Sequence, residues 1–166
     1  MSKKQKNDQQ QEKSGQENPQ SGQGTFSLVG QYAKDLSLEC GQPFYLAHDT
    51  NLKVGVDVGV GVKRLEDDMH EVILKLRGEA KDDNDKTYYL AEVEYAGAFL
   101  LKGIPEEHML GLLSVDGAHL LFPFVRHEFT RLVESAGYRA PPVDPINFRM
   151  VFENSQKQMQ QTAGEA

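Results

Sequence analysis

Five histidines, one cysteine and a glycine–valine run are the residues of this chain that could carry covalent, metal or phosphate chemistry. His48, His70, His108, His119 and His127 never fall at a spacing such as H-E-x-x-H, which sets two imidazoles on one helix face for zinc. Scattered in this way they read as surface or helix-packing imidazoles. Cys40 is the only cysteine, so neither an intrachain disulfide nor a cysteine-based zinc cage can form. The run GVDVGVGV, Gly55 to Val62, contains a G-x-G. It lacks the third glycine and the following helix that seat a pyrophosphate, and its valines alternate strictly, so a strand is the reading. No G-x-S-x-G elbow supports a nucleophile. The sequence therefore predicts no enzyme, no cofactor and no metal site.

The elements that position the remaining chemistry follow from hydrophobic period. From Thr25 to Glu39 the even residues Phe26, Leu28, Gly30, Tyr32, Lys34, Leu36 and Leu38 form one mostly buried face of a strand. Leu52 to Val62 gives a second strand, whose valines share one side and whose glycines share the other. Those glycines are expected to mark a close approach by another chain or element. A third strand carries His70, Val72, Leu74 and Leu76 against Glu71, Ile73, Lys75 and Arg77, and the turn KDDND, Lys81 to Asp85, closes a hairpin. In the fourth strand the phase is odd, with Tyr89, Ala91, Val93, Tyr95, Gly97 and Phe99 inward and Tyr88, Leu90, Glu92 and Glu94 outward.

After Gly103 the two-residue period ends. Pro105 opens a short helix to Leu113, a longer helix spans about Ala118 to Ala136 with Gly137 as its stop, and Pro123 must lie in its first turns or kink it. Three prolines in YRAPPVDPIN impose a loop, and Asn147 is placed to cap a last helix carrying Phe148, Val151 and Phe152. Four strands followed by helices predict an α+β fold: one antiparallel sheet, then a short, a long and a C-terminal helix.

Residues Met1 to Gly24 hold seven Gln and four Lys, with Met1 alone from the apolar set, and are expected to form a disordered polar tail. The folded domain is expected over residues 25–160, with a frayed tail at 161–166. Removing the four Lys and three acids of the first 24 residues from the 18 basic and 25 acidic residues of the chain leaves 14 and 22. That acidic balance disfavours nucleic acid, whose phosphates demand a basic face. No run approaches the ~20 apolar residues that span a bilayer, and no apolar signal segment opens the chain, so a cytosolic protein without direct membrane insertion is expected.

Two surpluses remain. Asp35 and Glu39 on strand one, with Leu90, Glu92 and Glu94 on strand four, would form an acidic patch with an apolar centre, or else an ordinary solvated face. Phe44, Tyr45 and Leu46 after strand one, and Phe148 and Phe152 on the last helix, either close the core or line an open groove.

QYAKDLSLE (Gln31 to Glu39), AEVEYAGAF (Ala91 to Phe99), LLFPFVRHEFTRLVESAGY (Leu120 to Tyr138) and PPVDPINF (Pro141 to Phe148) resemble the SecB family of bacterial protein-export chaperones, over roughly Phe26 to Gln158. The resemblance implies an ATP-independent holdase that keeps unfolded precursors competent for translocation and delivers them to the SecA motor. It implies a homotetramer, a dimer of dimers with the long helices between two eight-stranded sheets. SecA binding would fall to Asp35, Glu39, Leu90 and Glu92; client grooves to Phe44, Tyr45, Leu46, Phe148, Val151 and Phe152; and support of the oligomer interface to Ala91, Val93 and Tyr95. In this family the partner's tail, not the chaperone, carries zinc. A SecB-like chaperone holding another client, such as an antitoxin, is the alternative, followed by a small α+β enzyme. The chain departs from the family in its crossover loop, CGQPFYLAHDTN, which has no tryptophan, and in the length of its N-terminal tail.

Overall fold

The computed structural model describes residues 24–164; the expected polar tail of residues 1–23 and the last two residues lie outside the described part. Strands β1 (Thr25–Cys40), β2 (Lys53–Arg64), β3 (Met69–Lys81) and β4 (Thr87–Lys102) form one antiparallel sheet in the order β1-β4-β3-β2. Helices α1 (Glu106–Leu112), α2 (Ala118–Ser135) and α3 (Phe148–Gly164) follow. The expected α+β class and strand count hold. The last helix continues to Gly164, past the point where fraying was expected.

β1 departs from strict alternation. Register shifts between Leu28 and Gly30, and between Ala33 and Asp35, insert Val29 and Lys34 as extra residues. Each bulge moves the later residues to the other face, so Phe26, Leu28, Leu36 and Leu38 pack against the core while Tyr32 and Lys34 turn outward. Both reach Glu71 on β3: the Tyr32 hydroxyl and the Lys34 ammonium donate to its two carboxylate oxygens. Tyr32 and Lys34 are thereby corrected from the buried face to the outer one.

The β3–β4 turn forms where KDDND places it, because the Asp82 carboxylate accepts from the backbone N–H of Asn84 at 2.8 Å and of Lys86 at 3.0 Å. Asn147 likewise caps α3, accepting from the Met150 N–H at 3.2 Å.

α1 and α2 are not separate. A π-helical turn, Leu113–Gly117, joins them into one helical stretch, with Pro123 inside α2. Pro123 has no N–H for the His119 carbonyl, yet the helix runs through, because Leu121, Phe122, Val125, Phe129 and Val133 bury one stripe against the sheet. By length and composition alone the stretch Glu106–Ser135 is sufficient to cross a membrane, contrary to the expectation that no segment would be. Here its apolar stripe covers β3 and β4 instead.

Close helix–sheet approaches lie at Gly78 of β3, where a Cβ would collide with the Phe129 ring, and at Gly97 of β4, where it would sit 2.8 Å from Leu121 of α2. Within this chain the glycines of β2 meet no such element: nothing lies within 4 Å of a Cβ at Gly55, and only the Cβ of Lys75, at 3.9 Å, at Gly59.

Candidate functional site

The sheet face turned away from the helices carries the first candidate surface. β1 and β4 pair Asp35 with Glu94, Ser37 with Glu92 and Glu39 with Leu90, so Asp35, Glu39, Leu90 and Glu92 lie on one face of two adjacent strands, as their phase required. The next strand brings bases into the same rows, since β3 sets Lys75 opposite Glu94 and Arg77 opposite Glu92. The Arg77 guanidinium contacts Glu92 at 3.2 Å, Glu79 at 3.6 Å and Asp57 at 3.9 Å, and Lys75 pairs with Glu94. Among the described residues no ion pair forms at Asp35 or Glu39. The face is therefore mixed in charge, with acid surplus only along the β1–β4 seam. Lys75 and Arg77 already had the outward phase in the sequence; placing β3 beside β4 makes them neighbours of the carboxylates.

Two other groups on this face have shifted acidities. Hydrogen bonds from Lys34 and then Tyr32 hold the Glu71 carboxyl below the usual carboxylate range, against the opposing effect of its burial. Glu79 is held low first by the Lys81 ammonium, 3.0 Å away.

The second surface is apolar. The segment after β1 folds into a 3₁₀ turn, Phe44–Ala47, whose side chains stay outside: Phe44 is 47%, Tyr45 61% and Leu46 44% exposed. The Phe44 ring rests on Gly137, which has φ +84° just beyond α2, and a Cβ there would sit 2.8 Å from the ring. Both the left-handed backbone and the ring contact require glycine.

Beneath Phe44 opens a cavity of about 790 Å³ lined by Ala47, Leu52, Val54, Tyr89, Tyr138 and Ala140, among others, within the size range of small-molecule and side-chain sites. The Tyr138 hydroxyl donates to the Gln42 carbonyl, with the Tyr88 carbonyl 3.0 Å away, and so ties the segment after α2 to the β1 and β4 ends. Tyr89 packs its ring 5.0 Å from that of Tyr138, and burial pushes its hydroxyl up to about 12.

The other groove candidates lie elsewhere. Phe148 is fully buried, edge-on to His119 at 4.9 Å and to Phe122 at 5.7 Å. It is corrected from an open groove residue to a core residue, because α3 folds back onto the start of α2. Val151 and Phe152 are half-buried beside it, with the Phe152 ring close to Gly111. From His119 to Ser135 the α2 axis covers about 24 Å, so the Phe44 turn and the α3 residues mark opposite ends of that helix. Leu120 and Phe124, 47% and 43% exposed, lie on the stretch between them and were not singled out from the sequence. Their signal was legible as the i, i+4 pair left over from the buried stripe.

Ala91, Val93 and Tyr95 lie on the inner face, 0%, 1% and 9% exposed. They are covered by the chain's own helices rather than presented as surface. Tyr95 stacks on Phe124 at 6.0 Å. Among the described residues no group of three or more His, Cys, Asp or Glu is arranged to hold a metal ion, and the His119 Nδ1–H donates to the Val115 carbonyl, 2.9 Å away, within the same helical stretch.

A four-stranded sheet covered on one face by a long helix defines a SecB-like chaperone fold. The chain aligns with the SecB-like chaperone of Mycobacterium tuberculosis, solved in complex with a ChAD peptide from an antitoxin, at TM-score 0.62 and 12% identity, covering 73% of this chain and 90% of that one. The family model for preprotein translocase subunit SecB matches residues 18–159. Protein-export protein SecB of Magnetococcus marinus is 33% identical over 84% of this chain and 90% of its own length, and that of Neisseria gonorrhoeae is 36% identical over 81% and 92%. The chain belongs to the SecB family.

Proposed function

We propose that this protein is an ATP-independent holdase of the cytoplasm that binds unfolded precursor proteins on exposed apolar surface, keeps them competent for export and hands them to the SecA motor. The observation that carries this reading is the aromatic turn Phe44–Tyr45–Leu46, held outside the core over an open cavity in a chain of the SecB family. A monomer gains nothing from exposing three large apolar side chains side by side, since surface patches of that kind mark contact sites. Each client side chain buried against them contributes about 1.5–3 kcal/mol, so four or five such anchors outweigh the ~2–5 kcal/mol cost of ordering a flexible segment.

A dimer of dimers is part of the proposal. β1 and β2 are the edges of the sheet, and Leu120 and Phe124 leave an apolar strip on α2; a closed oligomer covers both kinds of surface. It also brings several grooves to one long client, which multiplies weak contacts. Ala91, Val93 and Tyr95 would support that assembly from below, by fixing the height of α2 on the sheet. The seam carboxylates Asp35, Glu39 and Glu92, with Leu90 between them, suit a basic partner, and favour delivery to SecA over service to an antitoxin alone.

Two measurements test the reading together. Light scattering should give a mass of about four times 18.6 kDa, and the protein in molar excess should suppress aggregation of a chemically denatured client without nucleotide. A monomer that leaves aggregation unchanged refutes it.

A further inference from the structure

Tyr89 carries an oxygen that the fold does not use. The side chain is 1% exposed among Ala80, Ala91 and Tyr138, and its hydroxyl is buried with no hydrogen-bond partner. Its neighbour Tyr138 donates the same group to the Gln42 carbonyl, with the Tyr88 carbonyl also in reach at 3.0 Å. A phenylalanine would fill the Tyr89 site equally well and leave no orphaned donor, and native interiors rarely leave one. The residue also lines the cavity under Phe44, so a buried, unanswered donor sits on a side chain that borders an open site.

What the Tyr89 hydroxyl lacks is an acceptor, and a ligand of this mainly apolar cavity would have to bring one on an apolar body. The N-terminal tail does not supply one, because Met1 is its only apolar residue. An extended polypeptide does, presenting a carbonyl at every residue and side chains to alternate sides. We propose that Tyr89 is a specificity-determining residue of the client site: its hydroxyl donates to a main-chain carbonyl of an extended client segment whose apolar side chain enters the cavity beneath Phe44. This deepens the holdase reading and rests on it. The hydroxyl is buried in the free chain, so the cavity wall must shift for a client carbonyl to reach it. The bond then forms away from competing solvent, which strengthens it. Because burial keeps the phenol protonated, it remains a donor throughout the neutral and mildly alkaline range.

The test uses the full chain, a fluorescent peptide with leucine at alternate positions, and the variant Tyr89→Phe. Loss of one neutral hydrogen bond is expected to weaken peptide binding about fivefold, while the thermal midpoint stays equal or rises. Ala47→Trp, which fills the cavity, should weaken binding in both backgrounds and erase the difference between Tyr89 and Phe. Tyr89→Phe binding as tightly as the parent overturns the assignment and leaves the holdase reading standing. A lowered thermal midpoint with unchanged binding makes the hydroxyl structural and also overturns it. A changed oligomer mass places the acceptor on another subunit, with the same consequence. Absence of peptide binding by the parent protein removes the holdase reading and the assignment together.

Discussion

Reversing one charge on the outer face is expected to separate the proposed partner delivery from the proposed client holding. Glu92 is 48% exposed and lies 3.2 Å from the 43% exposed guanidinium of Arg77, so Glu92→Lys replaces an attraction with a repulsion. At that separation a unit pair in water-like screening is worth about 1 kcal/mol, and exposed pairs seldom exceed it. The double change therefore costs the fold at most about 2 kcal/mol, which a domain of ordinary stability survives. A basic partner docking on the β1–β4 seam experiences the same reversal, and about 2 kcal/mol corresponds to roughly 30-fold weaker binding. Calorimetric titration of a SecA tail peptide at low and moderate salt measures it, and suppression of client aggregation is followed in parallel. Binding should fall by that order and the gap should shrink as salt screens it, with aggregation suppression unchanged because the Phe44 turn contains none of the altered residues. Unchanged partner affinity, or equal loss of both activities, refutes the assignment of this face.

Arg77→Gln should act in the opposite sense, tightening the same peptide severalfold, because Arg77 competes for Glu92, Glu79 and Asp57; no change in the calorimetric titration would mean that the seam is not where the partner lands. Glu71 gives a pH signature. Its carboxyl is lower in the folded state than its ordinary 4.5, so its contribution is fully present above that value and is lost as pH falls through the folded value. The denaturant midpoint of the parent protein should accordingly converge on that of Glu71→Gln below about pH 4.5, while a constant gap would argue against the Tyr32–Glu71–Lys34 cluster. In the core, Gly78→Ala should cost about 1–3 kcal/mol by overpacking against Phe129. Adding Phe129→Leu should cost less than the sum of the single changes, and strict additivity in chemical denaturation would mean that the two do not touch.

Strand number, helix order and caps were legible because they depend on local chemistry. The KDDND turn, the Asn147 cap and the Gly137 stop each use a side chain or backbone preference acting within four residues, and β2 kept the two-residue period from end to end, as did β3 and β4 apart from a register shift at Ala80 and Lys81 that makes Tyr88 an extra residue and corrects it from the outer face to a buried one. β1 did not, since nothing in Val29 or Lys34 announces a bulge; the shifts appear only in its pairing with β4. Helix α1–α2 was divided at the prolines and glycines in the sequence, yet burial of one continuous stripe carries the helix through the π turn and past Pro123.

The sequence by itself determined which residues from Leu90 to Glu94 face the outer side of β4 and which segments carry apolar surplus, because alternation and composition are written along the chain. Only tertiary structure decided how those pieces meet. Adjacency of β3 and β4 puts Arg77 on Glu92, the fold-back of α3 buries Phe148 while Phe44 stays open, and the packing of Tyr89 beside Tyr138 leaves one hydroxyl without a partner. Contacts between residues far apart in the chain are set by the summed packing of the whole core, and no local pattern encodes that sum.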